Sequence, residues 1–252
     1  MKIGIIGGTG VYQLGGMATR SQRIHTPYDS VDAAVGTHAG RELIFLARHG
    51  AGHSIPPHKI NYLANIDALR REGCGCILAT NAVGSIRGGM QPGDLVLPDQ
   101  FLDFTKCRPL TFYEGGHAGL RHVDVTEPYC PALRSVAFDF LEDYASTVHP
   151  AGTYVCTEGP RFETPAEIAM FAQLGGDVVG MTGVPEVVLA REAGICYVSI
   201  CVVTNFAAGI ADGPLTEGEV TALMNERLPV LHSFLLRLVE QISEQRECGC
   251  AG

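Results

Sequence analysis

The sequence predicts an α/β fold of three layers, with a mixed, largely parallel central sheet flanked by helices. Two patterns carry this reading. Short, continuously apolar or β-branched runs of strand length recur along the chain, as strands buried on both faces do. Helical patterns with recognisable caps lie between several of them. No internal repeat, low-complexity tract or charged linker divides the 252 residues, so one domain spanning 1–252 is expected, with a polar tail from about residue 244.

Lys2 to Gly7 is the first expected strand and runs straight into Gly8-Thr9-Gly10. Glu42 to Ala47 is the second. Ile60, Leu63, Ile66 and Leu69 recur at threes and the segment stops at Gly73, which reads as a helix with a glycine just past its end. That helix leads into a strand over Cys76 to Asn81, followed by one over Asp94 to Pro98 and another over Thr153 to Cys156. Thr164-Pro165-Ala166-Glu167 joins an N-cap, a proline at the first helical position and a capping-box glutamate, so a helix starts there. Asp177 to Met181 and Ile195 to Thr204 are the last expected strands. Thr216 to Glu219 repeats the capping-box spacing. The helix it opens is expected to break near Pro229, after which Leu231, Phe234, Leu235, Leu238, Val239 and Ile242 form an amphipathic C-terminal helix.

Charge and composition narrow the class. Eighteen basic against 27 acidic residues leave a net charge of −9, which argues against nucleic acid or an acidic membrane as partner. With 46% hydrophobic and 18% charged residues, the chain has apolar material for a large core and does not have the composition of a disordered one. No apolar run reaches the roughly 18 to 20 residues that span a bilayer. The segment Met1 to Gly10 lacks the basic start of a secretory signal, and a reducing cytoplasm is the expected setting. The nine cysteines, an odd number scattered through apolar segments, read mostly as buried free thiols. Cys74-Gly75-Cys76 and Cys248-Gly249-Cys250 are closely spaced pairs, but no C-x-x-C spacing accompanies them and no His/Cys cluster is expected to complete a zinc site. A reversible disulfide at Cys248 and Cys250, tying down a terminus, is the alternative.

The candidate chemistry sits where strands end. In Ile5-Ile6-Gly7-Gly8-Thr9-Gly10, a strand enters a glycine-rich turn whose backbone N–H groups can approach an anion. The dinucleotide fingerprint fails because position 13 is Gln, and the lysine of an ATP-binding P-loop is absent. Arg48-His49-Gly50 places a permanent cation and a titratable donor beyond the next strand, and Thr80-Asn81-Ala82-Val83-Gly84-Ser85 adds small polar residues at a third strand end. These ends suggest one shared phosphate-sized site. Two later segments suit a planar heterocycle. Phe162 offers a face, while Glu163 and Asn205 offer a carboxylate and an amide to its edge. The plainer readings remain open at this point: Glu163 complements a helix N-terminus, and Asn205 satisfies a turn.

Taken together, Gly7-Gly8-Thr9-Gly10, Arg48-His49-Gly50, Asn61-Tyr62-Leu63-Ala64-Asn65-Ile66, Thr80-Asn81-Ala82, Glu158-Gly159-Pro160-Arg161-Phe162 and Met181-Thr182-Gly183-Val184-Pro185-Glu186 resemble the trimeric purine nucleoside phosphorylase and methylthioadenosine phosphorylase family over nearly the whole chain. The resemblance implies the nucleoside phosphorylase fold and a homotrimer. It implies that Thr9, Arg48, His49, Asn81, Ala82 and Thr182 hold phosphate. Met181 would touch ribose, and Phe162, Asn205 and Ala207 would line the nucleoside site. His122 would reach into a neighbouring subunit's ribose pocket. Asn205 and His49 are the candidate catalytic residues. The family needs no metal and no organic cofactor, phosphate being a co-substrate.

Within that resemblance, Glu163 and Asn205 match the 6-oxopurine branch, whereas adenine-selective members typically carry serine and aspartate there. The segment Pro214 to Val220 lacks the histidine of members that prefer a 5′-hydroxyl, and His53-Ser54-Ile55-Pro56-Pro57 looks like the methylthio branch. Glu163, Asn205 and Glu217 are thus the candidate specificity residues, and 5′-methylthioinosine is the expected substrate. Methylthioadenosine phosphorylase, a general inosine or guanosine phosphorylase, and a nucleotide- or NAD-binding protein are the alternatives.

Overall fold

The structure, a computed structural model, describes residues 1–11, 17–141 and 147–250. Its elements follow in chain order as β1 (Lys2–Gly7), β2 (Thr19–Thr26), β3 (Asp29–His38), β4 (Arg41–Ala47), α1 (Tyr62–Arg71), β5 (Cys74–Ser85), β6 (Leu95–Val96) and β7 (Gln100–Phe104). Then come α2 (Pro131–Leu141), β8 (Val148–His149), β9 (Thr153–Thr157), α3 (Pro165–Gln173), β10 (Val178–Gly180), α4 (Gly183–Glu192), β11 (Cys196–Phe206) and α5 (Glu217–Gln241).

The strands form one mixed, mostly parallel sheet in the order β2-β3-β4-β1-β5-β10-β9-β7. It forks at β5, because β11 pairs with β5 in parallel from Cys196–Cys76 to Phe206–Ser85 and carries β6 and β8 on its far side. Strand β5 therefore sits among β1, β11 and β10, and its 12 residues are buried or nearly so. Burial on both faces explains its unbroken apolar run.

Side-chain alternation along β1 sends Ile3 and Ile5 into a core shared with α2 and α5, and Ile6 into a core shared with α1 and α4. Two helix layers thus sandwich the sheet. The consequence for function is directional: β1, β4, β5 and β11 run parallel and deliver Gly7, Ala47, Thr80 and Asn205 toward one end of the sheet.

The capping box at Thr164 forms in both directions, since the Thr164 hydroxyl accepts from Glu167 N–H and the Glu167 carboxylate accepts from Thr164 N–H. Thr216 caps α5 with only the first of these two bonds, its hydroxyl accepting from Glu219 N–H at 3.2 Å. The expected break at Pro229 does not occur. Helix α5 runs unbroken for 25 residues with Pro229 inside it. Proline there deprives the Asn225 carbonyl of its donor, but Asn225 is exposed and water can satisfy it. Met224 before the proline and Leu231, Phe234, Leu235, Leu238 and Val239 after it are all buried, and this burial offsets the roughly 3 kcal/mol cost of an interior proline.

The hairpin of β2 and β3 was not expected from apolar patterning, because β2 is the edge strand and largely exposed, and β3 beside it is mostly half-buried. Its charged side chains suit an edge that must not pair with other chains.

The tail also differs from expectation. Its last two residues lie outside the described ones, but Cys250 is only 3% exposed. The sulfurs of Cys130, Cys196, Cys248 and Cys250 lie within 4.8 Å of one another, so a four-cysteine cluster exists that spacing along the chain did not reveal. All nine cysteines are free thiols, and no Cys248–Cys250 disulfide is present. Among the described residues, no helix is long and apolar enough to cross a membrane.

Because the Thr164 cap sets where α3 begins, directly after Phe162 and Glu163, Thr164→Ala is expected to destabilise the protein by about 1 kcal/mol. Urea unfolding checks this. A change of only about a tenth of that would show that α3 is held by packing alone.

Candidate active site

A cavity of about 480 Å³ opens where these strand ends meet. Its walls include Thr9, Arg48, His49, Ala82, Phe162, Glu163, Met181, Thr182, Asn205, Ala207 and Glu217. Asn81 and His122, also candidate site residues, are not on the wall. Asn81 is buried one layer behind it, where its Oδ1 accepts from the Thr182 hydroxyl at 2.9 Å and its amide nitrogen donates to Ser199 Oγ at 2.7 Å. It positions Thr182 rather than facing the cavity. His122 is exposed in the segment between β7 and α2.

At the inner end, Arg48 is 2% exposed and Glu186 is 0% exposed. Arg48 Nε and Nη2 donate to the two Glu186 oxygens at 2.5 and 2.7 Å, and Nη1 donates to the Thr80 carbonyl at 2.7 Å. Tyr197 Oη donates to Glu186 Oε2 at 2.9 Å. Burial opposes the Arg48 charge, but the Glu186 carboxylate outweighs it and keeps the guanidinium protonated beyond its ordinary range. A guanidinium has five N–H donors. Three are committed here, and the remaining two can serve an anion in the cavity.

The glycine-rich turn makes that placement possible. A Cβ on Gly8 would collide with the Thr80 carbonyl and lie 2.8 Å from Arg48 Nη1. Gly8 N–H donates to Thr80 Oγ1 at 2.9 Å, and Arg48 N–H donates to the Gly7 carbonyl at 3.0 Å. Thr9 is thereby brought beside the guanidinium.

Burial, and after it the Arg48 charge, push the His49 imidazole down to about 4. It is neutral at neutral pH. Nδ1 lies 2.9 Å from the Ile55 carbonyl and so carries the proton, which leaves Nε2 as an acceptor. An acceptor next to a cation suits an anion that still holds a proton, such as monohydrogen phosphate.

The outer end has different chemistry. Glu163 is 9% exposed, and its Oε1 accepts from the Thr157 hydroxyl at 2.6 Å. Burial raises its pKa and the Thr157 hydrogen bond restrains the rise. Oε2 is left for a donor. Asn205 Oδ1 accepts from Thr204 Oγ1 and its amide donates to the Phe206 carbonyl, both at 2.8 Å. One amide N–H remains for the cavity. Phe162 offers its ring at the mouth, 37% exposed. A third wall carries Pro56, Pro57, Leu215 and Val220 together with His53, Ser54 and Glu217.

Two supporting residues escaped the sequence reading. Glu186 closes the Met181-to-Glu186 motif without a role of its own in the sequence reading; it stands in the first turn of α4, and its bond to Arg48 spans 138 residues. Arg108 lies in irregular chain with no periodic signal. It is buried, and it donates to the carbonyls of Met181, Thr157 and Glu158 and to Tyr62 Oη, thereby tying the ends of β9 and β10 to the start of α1.

The neutral state of His49 has a measurable consequence. An unfolded chain takes up a proton near 6.5 that the folded imidazole refuses until about 4. Stability contributed by neutral His49 is thus intact above the upper value and is lost as pH falls across this window. His49→Asn is expected to flatten that part of the stability curve, measured by urea unfolding across the same pH range. An unchanged slope would show that His49 titrates normally.

Comparison with known proteins identifies the family. The profile of the Phosphorylase superfamily matches residues 2–240. A probable 6-oxopurine nucleoside phosphorylase from Dictyoglomus turgidum is 50% identical over 251 residues, covering 99% of this chain and 95% of the relative. A probable S-methyl-5′-thioinosine phosphorylase from Methanopyrus kandleri is 49% identical, with 99% and 96% covered. Among solved structures, a methylthioadenosine phosphorylase from an Antarctic soil metagenomic library superposes with a TM-score of 0.92 at 36% identity, covering 99% of this chain and 89% of that one. A match across nearly the whole sequence, joined to a cavity built from the same strand ends, means that the chain belongs to the phosphorylase superfamily.

Proposed function

We propose that this protein cleaves the N-glycosidic bond of 5′-methylthio purine nucleosides with phosphate, releasing free purine and 5-methylthioribose 1-phosphate, and that 5′-methylthioinosine is its preferred substrate. The observation that carries the reading is the pairing of Glu163 and Asn205 on one wall of the cavity whose inner end holds Arg48 and His49.

Phosphate binds between Thr9, Arg48, His49, Ala82 and Thr182, with Asn81 holding the Thr182 hydroxyl. One phosphate oxygen bonds to C1′ as the C1′–N9 bond breaks, and the electron pair of that bond leaves with the purine. Positive charge gathers on the sugar between the two events, so an anion beneath it stabilises the transition state. Holding both reactants in one cavity supplies much of the remaining acceleration. His49, neutral, accepts a hydrogen bond from the phosphate's O–H and orients the nucleophile; as the C1′–O bond forms, that proton passes to solvent and one returns to the departing purine, so monohydrogen phosphate and nucleoside give the ribose 1-phosphate dianion and neutral purine. Asn205 donates its remaining N–H toward O6 and N7, where the departing purine collects negative charge. No covalent intermediate is needed, and the active-site chemistry asks for neither a metal nor an organic cofactor.

Base choice follows from donors and acceptors. A 6-oxopurine offers N1–H to Glu163 and accepts from the Asn205 amide. A 6-aminopurine presents an unprotonated N1, so two acceptors face each other. An unpaired buried polar group costs about 1–3 kcal/mol, which corresponds to discrimination of roughly tenfold to a hundredfold. Pro56, Pro57, Leu215 and Val220 favour a thioether at the 5′ end. His53 and Glu217 on the same wall favour a second reading, acceptance of inosine or guanosine, in keeping with the names of the relatives. We further propose a homotrimer in the cytoplasm that serves purine salvage. His122 would reach a neighbour's cavity, and Leu120 beside it is 77% exposed, as a contact side chain is before assembly.

The test is phosphate-dependent release of base from 5′-methylthioinosine, 5′-methylthioadenosine, inosine and adenosine, compared by kcat/KM. Methylthioinosine is expected to lead and to exceed methylthioadenosine at least about tenfold. Asn205→Asp should shift preference toward the 6-aminopurines. Retention of the original preference would refute the proposed reading of the base.

A further inference from the structure

Far from the cavity, the four-cysteine cluster collects sulfurs from three parts of the fold. Cys196 opens β11. Cys130 immediately precedes α2, and its N–H donates to the Tyr197 carbonyl at 2.9 Å, which pins the start of the helix to the start of the strand. Cys248 and Cys250 come from the tail beyond α5. All four sulfurs lie within 4.8 Å of one another, and Cys196 and Cys248 are 3.5 Å apart. Ligands of a tetrahedral zinc ion, with Zn–S bonds of about 2.3 Å, sit roughly 3.8 Å from each other. A disulfide requires about 2.05 Å, and none of the four is so joined.

The surroundings suit thiolates. The Arg246 charge near Cys196 and the Leu133 backbone N–H in the first turn of α2 near Cys130 both favour an ionised sulfur. Four thiolates around a divalent cation leave two negative charges, which these donors partly offset. A tetrahedral all-sulfur set selects zinc over hard cations such as magnesium and calcium.

The tail supplies an independent reason. After Ile242 it reads Ser-Glu-Gln-Arg-Glu-Cys-Gly-Cys, with no large apolar side chain to bury. Yet Cys250 is 3% exposed, against Cys130 at 0% and Cys196 at 5%. Hydrophobic burial is too small to hold such a segment in place against its conformational entropy, whereas a chelating C-x-C pair on a metal anchored by Cys130 and Cys196 is sufficient. Arg246 adds hydrogen bonds to the Gly75 and Ser243 carbonyls, and the Met1 amino group meets Glu244 at 2.7 Å.

We propose that Cys130, Cys196, Cys248 and Cys250 bind one structural zinc ion that clamps the C-terminal tail to the starts of α2 and β11. The site takes no part in phosphorolysis. Cys196 and Asn205 occupy opposite ends of β11, nine residues and so about 30 Å apart.

The full-length protein, produced with zinc in the medium and purified without chelator, is measured by elemental analysis before and after mercurial titration. One zinc per chain, released as the thiols react, is expected. The double variant Cys248→Ser/Cys250→Ser should lose the zinc and melt at lower temperature while keeping kcat/KM at temperatures below its transition, and Cys107→Ser, an exposed control, should keep it. Cobalt(II) added to metal-stripped protein should give the visible bands of tetrahedral thiolate coordination, absent from the double variant. Absence of zinc, a disulfide among the four cysteines found by peptide mapping, or zinc retained by the double variant would each overturn the proposal. These outcomes are independent of which nucleoside the enzyme cleaves.

Discussion

Arg48 and Glu186 form the contact around which the site is built. Both are buried beneath the cavity and joined by two hydrogen bonds. A buried ion pair of this kind is seldom the best use of core volume for stability, because desolvating both charges costs about as much as their attraction returns. Its value lies in orientation. Glu186 occupies one edge of the guanidinium, the Thr80 carbonyl takes another donor, and what is left points into the cavity. The rest of the inner wall conforms to that arrangement. Gly8 is glycine because a side chain would strike the Thr80 carbonyl and crowd Arg48, and His49 is neutral partly because Arg48 is beside it.

The two ends of the cavity thus divide the work of phosphorolysis as proposed here. The inner end is rigid, set by β1, β4 and β5 and by a charge that cannot relax. The outer end is set by α3 and the last residues of β11, where Glu163 keeps one partner and Asn205 two inside the protein, and each retains one hydrogen-bonding valence for a ligand. A carboxylate already engaged by Thr157 has little freedom to turn away from the wrong base. Selectivity then comes from the penalty for an unpaired polar group rather than from shape.

Much of this was legible in the sequence, and the exceptions have physical causes. Strands buried on both faces announce themselves as apolar runs, and the helix at Thr164 announces itself through its cap, so β1, β4, β11 and α3 fall where expected, whereas β5 runs on to Ser85 through the small polar residues read as its end. Glycines and polar residues at strand ends pointed to Thr9, Arg48, His49, Glu163 and Asn205 because α/β sheets present ligands there. Glu186 and Arg108 were not legible. Their roles depend on partners far away in sequence. The same holds for the cysteines: Cys130 and Cys196 meet only because α2 begins beside the start of β11. Pro229 misled for another reason, since burial along α5 outweighs a local propensity.

The central claim is that the buried pair exists to orient an anion and not to hold the fold together. The variant Arg48→Met/Glu186→Gln removes both charges at nearly constant volume and keeps an acceptor for Tyr197. Calorimetric titration of inorganic phosphate into this variant and the parent protein, with thermal unfolding of each, tests the claim directly. The account predicts a folded variant of similar Tm whose phosphate affinity has fallen by about a hundredfold or more, the loss of roughly 3 kcal/mol expected when a charge-assisted contact disappears. Phosphate binding equal to that of the parent would contradict it.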